Sequence, residues 1–214
     1  MVKESLPSLN VHRSPAHNDR EERFARGRRA ARSGEVTTLN ALCVFCGSTT
    51  GASPAYRLAA ERLGLEIARR HIRLVYGGGR VGLMGVVADA ALSAGGEVLG
   101  IIPRALQDRE IGHAGLTELR ITGSMHERKA AMEDASDGFI ALPGGFGTFD
   151  ELCEIVTWAQ LGIHRKPIGI LDVNGFYTRL GAFLDSVMAE GFIRADHRAL
   201  LMEDDDPASL IDRM

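Results

Sequence analysis

Gly138-Phe139-Ile140-Ala141-Leu142-Pro143-Gly144-Gly145-Phe146-Gly147-Thr148-Phe149-Asp150-Glu151 is the stretch whose pattern decides the fold class of this chain. Its first five residues form an uninterrupted apolar run, as a parallel strand buried on both faces requires. Beyond it, Leu152, Ile155, Val156 and Ala159 recur at helical spacing. The glycine-rich segment therefore occupies a strand-to-helix turn. In open α/β sheets such turns lie at the carboxyl ends of the strands, where ligands bind, and glycines let backbone N–H groups approach an anion at the helix N-terminus. A phosphate suits such a place.

Thr148 and Glu151 admit two readings. In one they form a capping box, Thr148 as N-cap and Glu151 at the third helical position reaching back to the Thr148 N–H. In the other, Glu151 is a carboxylate beside a phosphate loop, placed to act as general base or to steady a developing cation. Three glycines within four positions favour the second, because a cap needs no glycine cluster beside it.

The same alternation recurs on both sides. Leu42-Cys43-Val44-Phe45 is a strand, followed by the turn Cys46-Gly47-Ser48-Thr49-Thr50-Gly51 and a helix with Ser53 as N-cap and Pro54 at its first position, reaching about residue 70. Ile72-Arg73-Leu74-Val75-Tyr76 is a second strand. It runs into Gly77-Gly78-Gly79-Arg80-Val81-Gly82-Leu83-Met84-Gly85, then an alanine-rich helix over 86–94. A third strand, 97–102, stops at Pro103. A loop through 109–112, a strand over 116–121 and a helix over 124–136 follow. After the central motif come a strand over 168–171, a helix over 176–190, and Glu203-Asp204-Asp205-Asp206-Pro207 as a solvated turn before a last short helix. Strands alternating with helices through short loops predict an α/β, Rossmann-like parallel sheet with helices on both faces, in a single domain.

Residues 1–38 differ from the rest. They carry eight Lys/Arg against five Asp/Glu, a net +3, which leaves −6 for the remainder of a chain whose total is −3. With so few apolar residues this basic extension is expected to be disordered, apart from a solvated helix over 19–32. Its acids argue against a transit peptide, and it has no apolar segment of a signal peptide. The catalytic domain is expected at 39–214. At 214 residues and 45% hydrophobic, the chain suits one soluble domain without a membrane span. Its charge gives no nucleic-acid reading. Three cysteines, Cys43, Cys46 and Cys153, fit a reducing cytoplasm rather than a disulfide scaffold. Cys43 and Cys46 stand three apart in a strand segment and so point to opposite faces, unlike a redox or zinc pair.

The glycine run at 77–85 is a second phosphate-type loop, with Gly78 and Gly79 as candidate contacts. Two glycine-rich turns at one sheet edge suggest one nucleotide-sized cleft. The first turn lacks the dinucleotide fingerprint, and no Gly-Lys-Ser/Thr occurs, which argues against NAD and against a P-loop. Arg128 and Lys129 lie near the start of a helix, where the dipole does not favour cations; the placement hints at an anion. The seven histidines show no ligand spacing, so catalysis without metal or cofactor is expected.

Taken together, Gly77 to Gly85 as quoted, Met125-His126-Glu127-Arg128-Lys129 and Pro143 to Glu151 closely resemble the motifs of the LONELY GUY (LOG) family of cytokinin riboside 5′-monophosphate phosphoribohydrolases, over about residues 40–195. These enzymes were long mislabelled as lysine decarboxylases. The resemblance implies Arg128 and Glu151 as the catalytic pair. It implies substrate contacts from Glu110, Lys129, the loop Gly145, Phe146, Gly147, Thr148, Phe149 and Asp150, and Thr157. It also implies a purine nucleoside 5′-monophosphate substrate and a homodimer, for which Trp158, Leu161 and Ile163 are one candidate surface and core packing the other use. Asp150 departs from the family, where many members have glutamate. The decarboxylase label requires a Schiff-base lysine, and among Lys3, Lys129 and Lys166 none is suited. A general AMP nucleosidase and a non-catalytic nucleotide or cofactor carrier are the alternatives.

Overall fold

The computed structural model describes residues 39–110 and 112–214, with the side chains of residues 108–110 left aside. The extension over 1–38, its expected helix and Ile111 lie outside the described residues. Seven strands form one sheet: β1 (Ala41–Phe45), β2 (Arg73–Tyr76), β3 (Val98–Pro103), β4 (Glu118–Thr122), β5 (Gly138–Ala141), β6 (Ile168–Leu171) and β7 (Leu201–Asp204). Their order is β4-β3-β2-β1-β5-β6-β7, and every pairing is parallel. The chain winds outward from β1 to β4, crosses to β5 on the other side of β1, and winds outward again. The direction of winding reverses between β1 and β5, where open α/β sheets bind ligands.

Alternation along the strands accounts for both core layers. Leu42, Val44, Leu74, Tyr76 and Ile140 face one side, packing on Leu63 and Ile67 of α1 (Pro54–Arg69) and on Leu83, Val87 and Ala91 of α2 (Gly82–Ser93). Cys43, Phe45, Val75, Ile101 and Phe139 face the other. There they meet Met132 of α4 (Met125–Asp134) and Leu152 and Ile155 of α5 (Phe146–Gln160). Both faces of the sheet are covered, as continuous apolar strands demand. Cys43 and Cys46 fall in opposite layers and are both buried.

Several expected boundaries move. The residues after Pro103 form a helix, α3 (Arg104–Glu110), where a loop was expected; Arg, Ala, Leu, Gln and Glu are strong helix formers and no glycine interrupts them. Helix α2 begins at Gly82, so the second half of the glycine run is its first turn rather than loop. Helix α6 (Thr178–Ala189) is preceded by a 3₁₀ turn at Val173–Gly175. A one-turn helix, α7 (Ala195–Arg198), leads to β7.

The acidic tail was expected as a solvated turn, but Leu201–Asp204 is the edge strand β7. Two arginines make this possible: Arg198 holds Glu203 at 2.9 Å, and Arg213 holds Asp204 at 3.1 Å. Asp206 then caps α8 (Pro207–Asp212), accepting from the Ala208 and Ser209 N–H groups. All described residues fall within one unit, Thr38–Met214.

Candidate active site

Three loops converge at the carboxyl edge of β1, β2 and β5. The loop after β1 is the middle one. Gly47 donates its N–H to the Pro143 carbonyl at 3.1 Å, and its own carbonyl accepts from the Leu83 N–H at 3.0 Å. Gly82, where the chain turns into α2, has φ +61, and a Cβ there would lie 2.2 Å from the Ser48 carbonyl carbon. Only glycine allows both the conformation and the approach. Gly78 and Gly79 are buried; the Gly78 carbonyl accepts from the His113 N–H, and Gly79 bridges Gly112.

Gly145, in extended conformation, is the N-cap of α5, and no side chain caps that end. Gly145, Phe146 and Gly147 are exposed, Phe146 at 92%. The first-turn N–H groups thus face solvent at the positive end of a 15-residue helix, an arrangement that attracts anions. Because the helix starts three residues earlier than a capping box would place it, Thr148 lies within its first turn and Glu151 beyond it. The capping-box reading falls. Thr148 is buried, and Phe149 packs edge-on against Tyr177 at 6.2 Å between ring centres, which turns its side chain into the core rather than the cleft. Tyr177 in turn donates its hydroxyl to the Leu142 carbonyl at 2.8 Å, anchoring the root of the glycine loop.

Arg128 and Glu151 meet below this helix end. Ser124 caps α4, its hydroxyl accepting from the Glu127 N–H at 3.1 Å, and this directs Arg128 inward from the first turn. Its guanidinium donates through Nε to the Ile101 carbonyl at 3.1 Å and through Nη2 to the Gly77 carbonyl at 3.4 Å. Nη2 also stands 3.6 Å from Glu151 Oε1, with the two side chains 8% and 10% exposed. A planar guanidinium with five donors can bind two backbone carbonyls and a carboxylate at once; a lysine cannot. Burial, with the Glu151 charge as the second cause, pushes the Cys46 thiol far up, so neither it nor Cys43, shifted the same way, competes as a nucleophile.

Lys129 points elsewhere than its neighbour. It holds Asp150 and Glu154 of α5, each at 3.1 Å. Burial works against its charge, but these two carboxylates outweigh that and raise its pKa above the ordinary lysine value. Thr157 is exposed on α5 with its hydroxyl bonded to the Cys153 carbonyl, so it is not brought to the pair. Glu110 ends α3, and its side chain is outside the described set. His126 is exposed.

Phe45, Lys129, Glu151, Glu154 and Ile155 line a small pocket beside the pair. Glu154, Phe45 and Tyr177 were missed in sequence; only Glu154 carried a signal, standing one helical turn from both Asp150 and Glu151. A larger depression at the ends of β6 and β7 is lined by Asp172, Asn174, Gly175, Glu203, Asp204 and Asp205. Its acids repel phosphate, in contrast to the uncapped helix end beside the glycine loops. Among the described residues no cluster of three His, Cys, Asp or Glu side chains could hold a metal. No helix among them is long and apolar enough to cross a membrane.

Residues 84–214 match the model of a family described as "Possible lysine decarboxylase". A rice protein (Oryza sativa subsp. japonica) named as a probable cytokinin riboside 5′-monophosphate phosphoribohydrolase is 46% identical over 209 residues, spanning 96% of this chain and 92% of its own. An Arabidopsis thaliana protein named for the same activity is 49% identical over 170 residues, 79% of this chain and 78% of its own. The solved molybdenum cofactor binding protein of Rippkaea orientalis superimposes with a TM-score of 0.63 at 22% identity, covering 83% of this chain and 96% of that one, a likeness of fold.

The decarboxylase description implies pyridoxal phosphate, and the two lysines among the described residues do not fit it. A Schiff-base lysine must shed its proton. Lys129 is instead held charged by two carboxylates, and Lys166 is bound by the Glu133 carbonyl at 2.6 Å and its carboxylate at 2.5 Å.

Proposed function

The chain belongs to the cytokinin riboside 5′-monophosphate phosphoribohydrolase (LOG) family, and from that premise we propose that it hydrolyses the N-glycosidic bond of cytokinin riboside 5′-monophosphates, releasing free base and ribose 5-phosphate. The single observation that carries this reading is the buried Arg128–Glu151 pair beside the uncapped N-terminus of α5. A nucleotide carrier needs glycine loops but no buried carboxylate next to them. The relatives named as hydrolases are 46% and 49% identical, whereas the cofactor-binding protein shares the fold at 22% identity. The carrier reading is therefore not favoured.

In the proposed reaction the 5′-phosphate sits on the N–H groups of Gly145, Phe146 and Gly147, with Gly78, Gly79 and Thr148 forming the surrounding wall. That contact fixes the ribose relative to Glu151. The negative charge of Glu151 steadies the oxocarbenium-like centre as the C1′–N bond breaks, and Glu151 then takes a proton from the water whose oxygen bonds to C1′. The electron pair leaves with the purine, which takes up a proton. Arg128 orients Glu151. Asp150 and Phe149 support the loop from behind, and Lys129, bridging Asp150 and Glu154, keeps its third donor for a substrate oxygen. Glu110 and Thr157 are assigned to the substrate only by the family resemblance.

We further propose a homodimer in the cytoplasm. Leu161 is 66% and Ile163 42% exposed at the end of α5, while Trp158 packs partly on the core. Such exposed apolar side chains suit an interface between copies.

The test is chromatography of free base released from isopentenyladenosine 5′-monophosphate, AMP and the unphosphorylated riboside, by wild type and by Glu151→Gln. Cleavage of monophosphates only, lost in the variant, supports the proposal. Equal rates on AMP and the prenylated nucleotide would make it a general AMP nucleosidase. AMP binding without base release would restore the carrier reading.

A further inference from the structure

The catalytic pair is split between two helices, Arg128 on α4 and Glu151 on α5, which belong to different strand-helix units. Backbone hydrogen bonds fix neither helix relative to the other. Arg128 is tied to the sheet by the Ile101 and Gly77 carbonyls. What ties α5 to α4 at this level is the next residue along: Lys129 bridges Asp150 and Glu154. Adjacent residues on a helix diverge by about 100°, so Arg128 enters the cleft while Lys129 lies across to α5. Asp150 and Glu154, four apart, share one face and would repel each other without a cation between them.

The two carboxylates are not equivalent. Asp150 is 60% exposed, where solvent screening leaves an ion pair little strength. Glu154 is 26% exposed and Lys129 11%. Glu154 also lines the small pocket with Glu151, Lys129, Phe45 and Ile155. The stronger half of the bridge is the one beside the reacting carboxylate.

We propose that Glu154 is a positioning residue: acting through Lys129, it fixes α5 against α4 and so sets the separation of Arg128 and Glu151. This rests on the hydrolase reading for its catalytic consequence, though not for the bridge itself. Glu154 touches neither the reacting atoms nor the phosphate; its effect is on where Glu151 stands when water attacks. Lys129 has spent two of its three donors on carboxylates, leaving one for a substrate oxygen.

The experiment compares wild type, Glu154→Gln, Glu154→Asp, Lys129→Met and the Lys129→Met/Glu154→Gln double variant, all in the full chain. It reads kcat and KM for base release from isopentenyladenosine 5′-monophosphate and AMP, together with thermal melting. A displacement of about 1 Å costs on the order of 100-fold in rate, so Glu154→Gln is expected to lower kcat by roughly 10- to 100-fold with KM little changed. Glu154→Asp, which keeps the charge, should recover part of that loss. The double variant should be no slower than Lys129→Met alone, because residues acting through one contact are not additive. Near-wild-type kcat in Glu154→Gln overturns the proposal. So do losses that multiply in the double variant, or a loss confined to KM, either of which would give Glu154 its own contact with substrate. If wild type releases no base, the hydrolase reading fails on its own. The melting temperatures of the four corners of the cycle still decide the bridge: additive shifts overturn it, non-additive shifts support it.

Discussion

Arg128 Nη2 stands 3.6 Å from Glu151 Oε1 in a place that neither residue's own helix determines, since the same guanidinium is bonded to the Ile101 carbonyl of β3 and to that of Gly77, just after β2. The pair is thereby referenced to the sheet. Removing the charge of Glu151 leaves Arg128 on its carbonyls and the proposed phosphate site at the start of α5 untouched. Glu151→Gln is therefore expected to keep AMP binding, measured by calorimetry, while base release falls by about 10²- to 10⁴-fold, the usual contribution of a general base. Turnover close to wild type would remove Glu151 from the chemistry.

Gly77 has no room for a side chain, because a Cβ there would lie 2.0 Å from Arg128 Nη2. In Gly77→Ala the guanidinium has to leave the Gly77 carbonyl and tilt from Glu151. Losing a charged hydrogen bond in a buried site costs about 1.5–3 kcal/mol. Denaturant unfolding should show a loss of that order, and kcat should fall along with it. A variant that unfolds like wild type and turns over like wild type would mean that Arg128 has another position to occupy.

The Rossmann-like sheet was legible because apolar runs such as Phe139-Ile140-Ala141-Leu142 followed by glycine turns admit few other folds. The site was legible where backbone constraints leave a mark in residue type, as at Gly77 and the glycines before α5. What escaped was pairing between distant side chains. Glu203 and Asp204 read as a solvated turn because nothing local shows Arg198 and Arg213 neutralising them in β7. The start of α5 escaped for a different reason: Thr148 and Glu151 have capping-box spacing, but Gly145 in extended conformation caps the helix first. The pairing of Lys129 escaped because its two carboxylate partners lie on another helix.

Tyr177 holds the glycine loop from beneath, its hydroxyl on the Leu142 carbonyl at 2.8 Å and its ring against Phe149 and Phe176. Tyr177→Phe keeps the packing and removes only the bond. The buried Leu142 carbonyl is then short of a donor, at a cost of about 1–3 kcal/mol. The expected result is a lower unfolding midpoint and a KM for the monophosphate that rises more than kcat falls, since the proposed phosphate contacts lie on that loop. An unchanged KM would show that the loop is held by the Gly47–Pro143 bond alone.

His164, just beyond α5, couples the fold to pH. Its ring is buried, with Nε2 on the Ile155 carbonyl at 3.0 Å and Nδ1 accepting from the Lys166 N–H at 3.2 Å, so both nitrogens are used by the neutral form. Burial lowers its pKa; the Ile155 carbonyl and the Glu133 charge oppose the shift, and the Lys166 charge adds to it. The sign follows. In the unfolded chain His164 takes a proton near pH about 6.5, while the folded protein resists until a lower pH. The stability that neutral His164 contributes is therefore fully present above about pH 6.5 and declines as pH falls from there towards the folded-state pKa. Unfolding midpoints between about pH 8 and 5 should fall more steeply in wild type than in His164→Gln, which has no proton to gain over that range. Parallel slopes in the two proteins would mean that His164 titrates alike in both states, and that the acid sensitivity of the fold arises elsewhere.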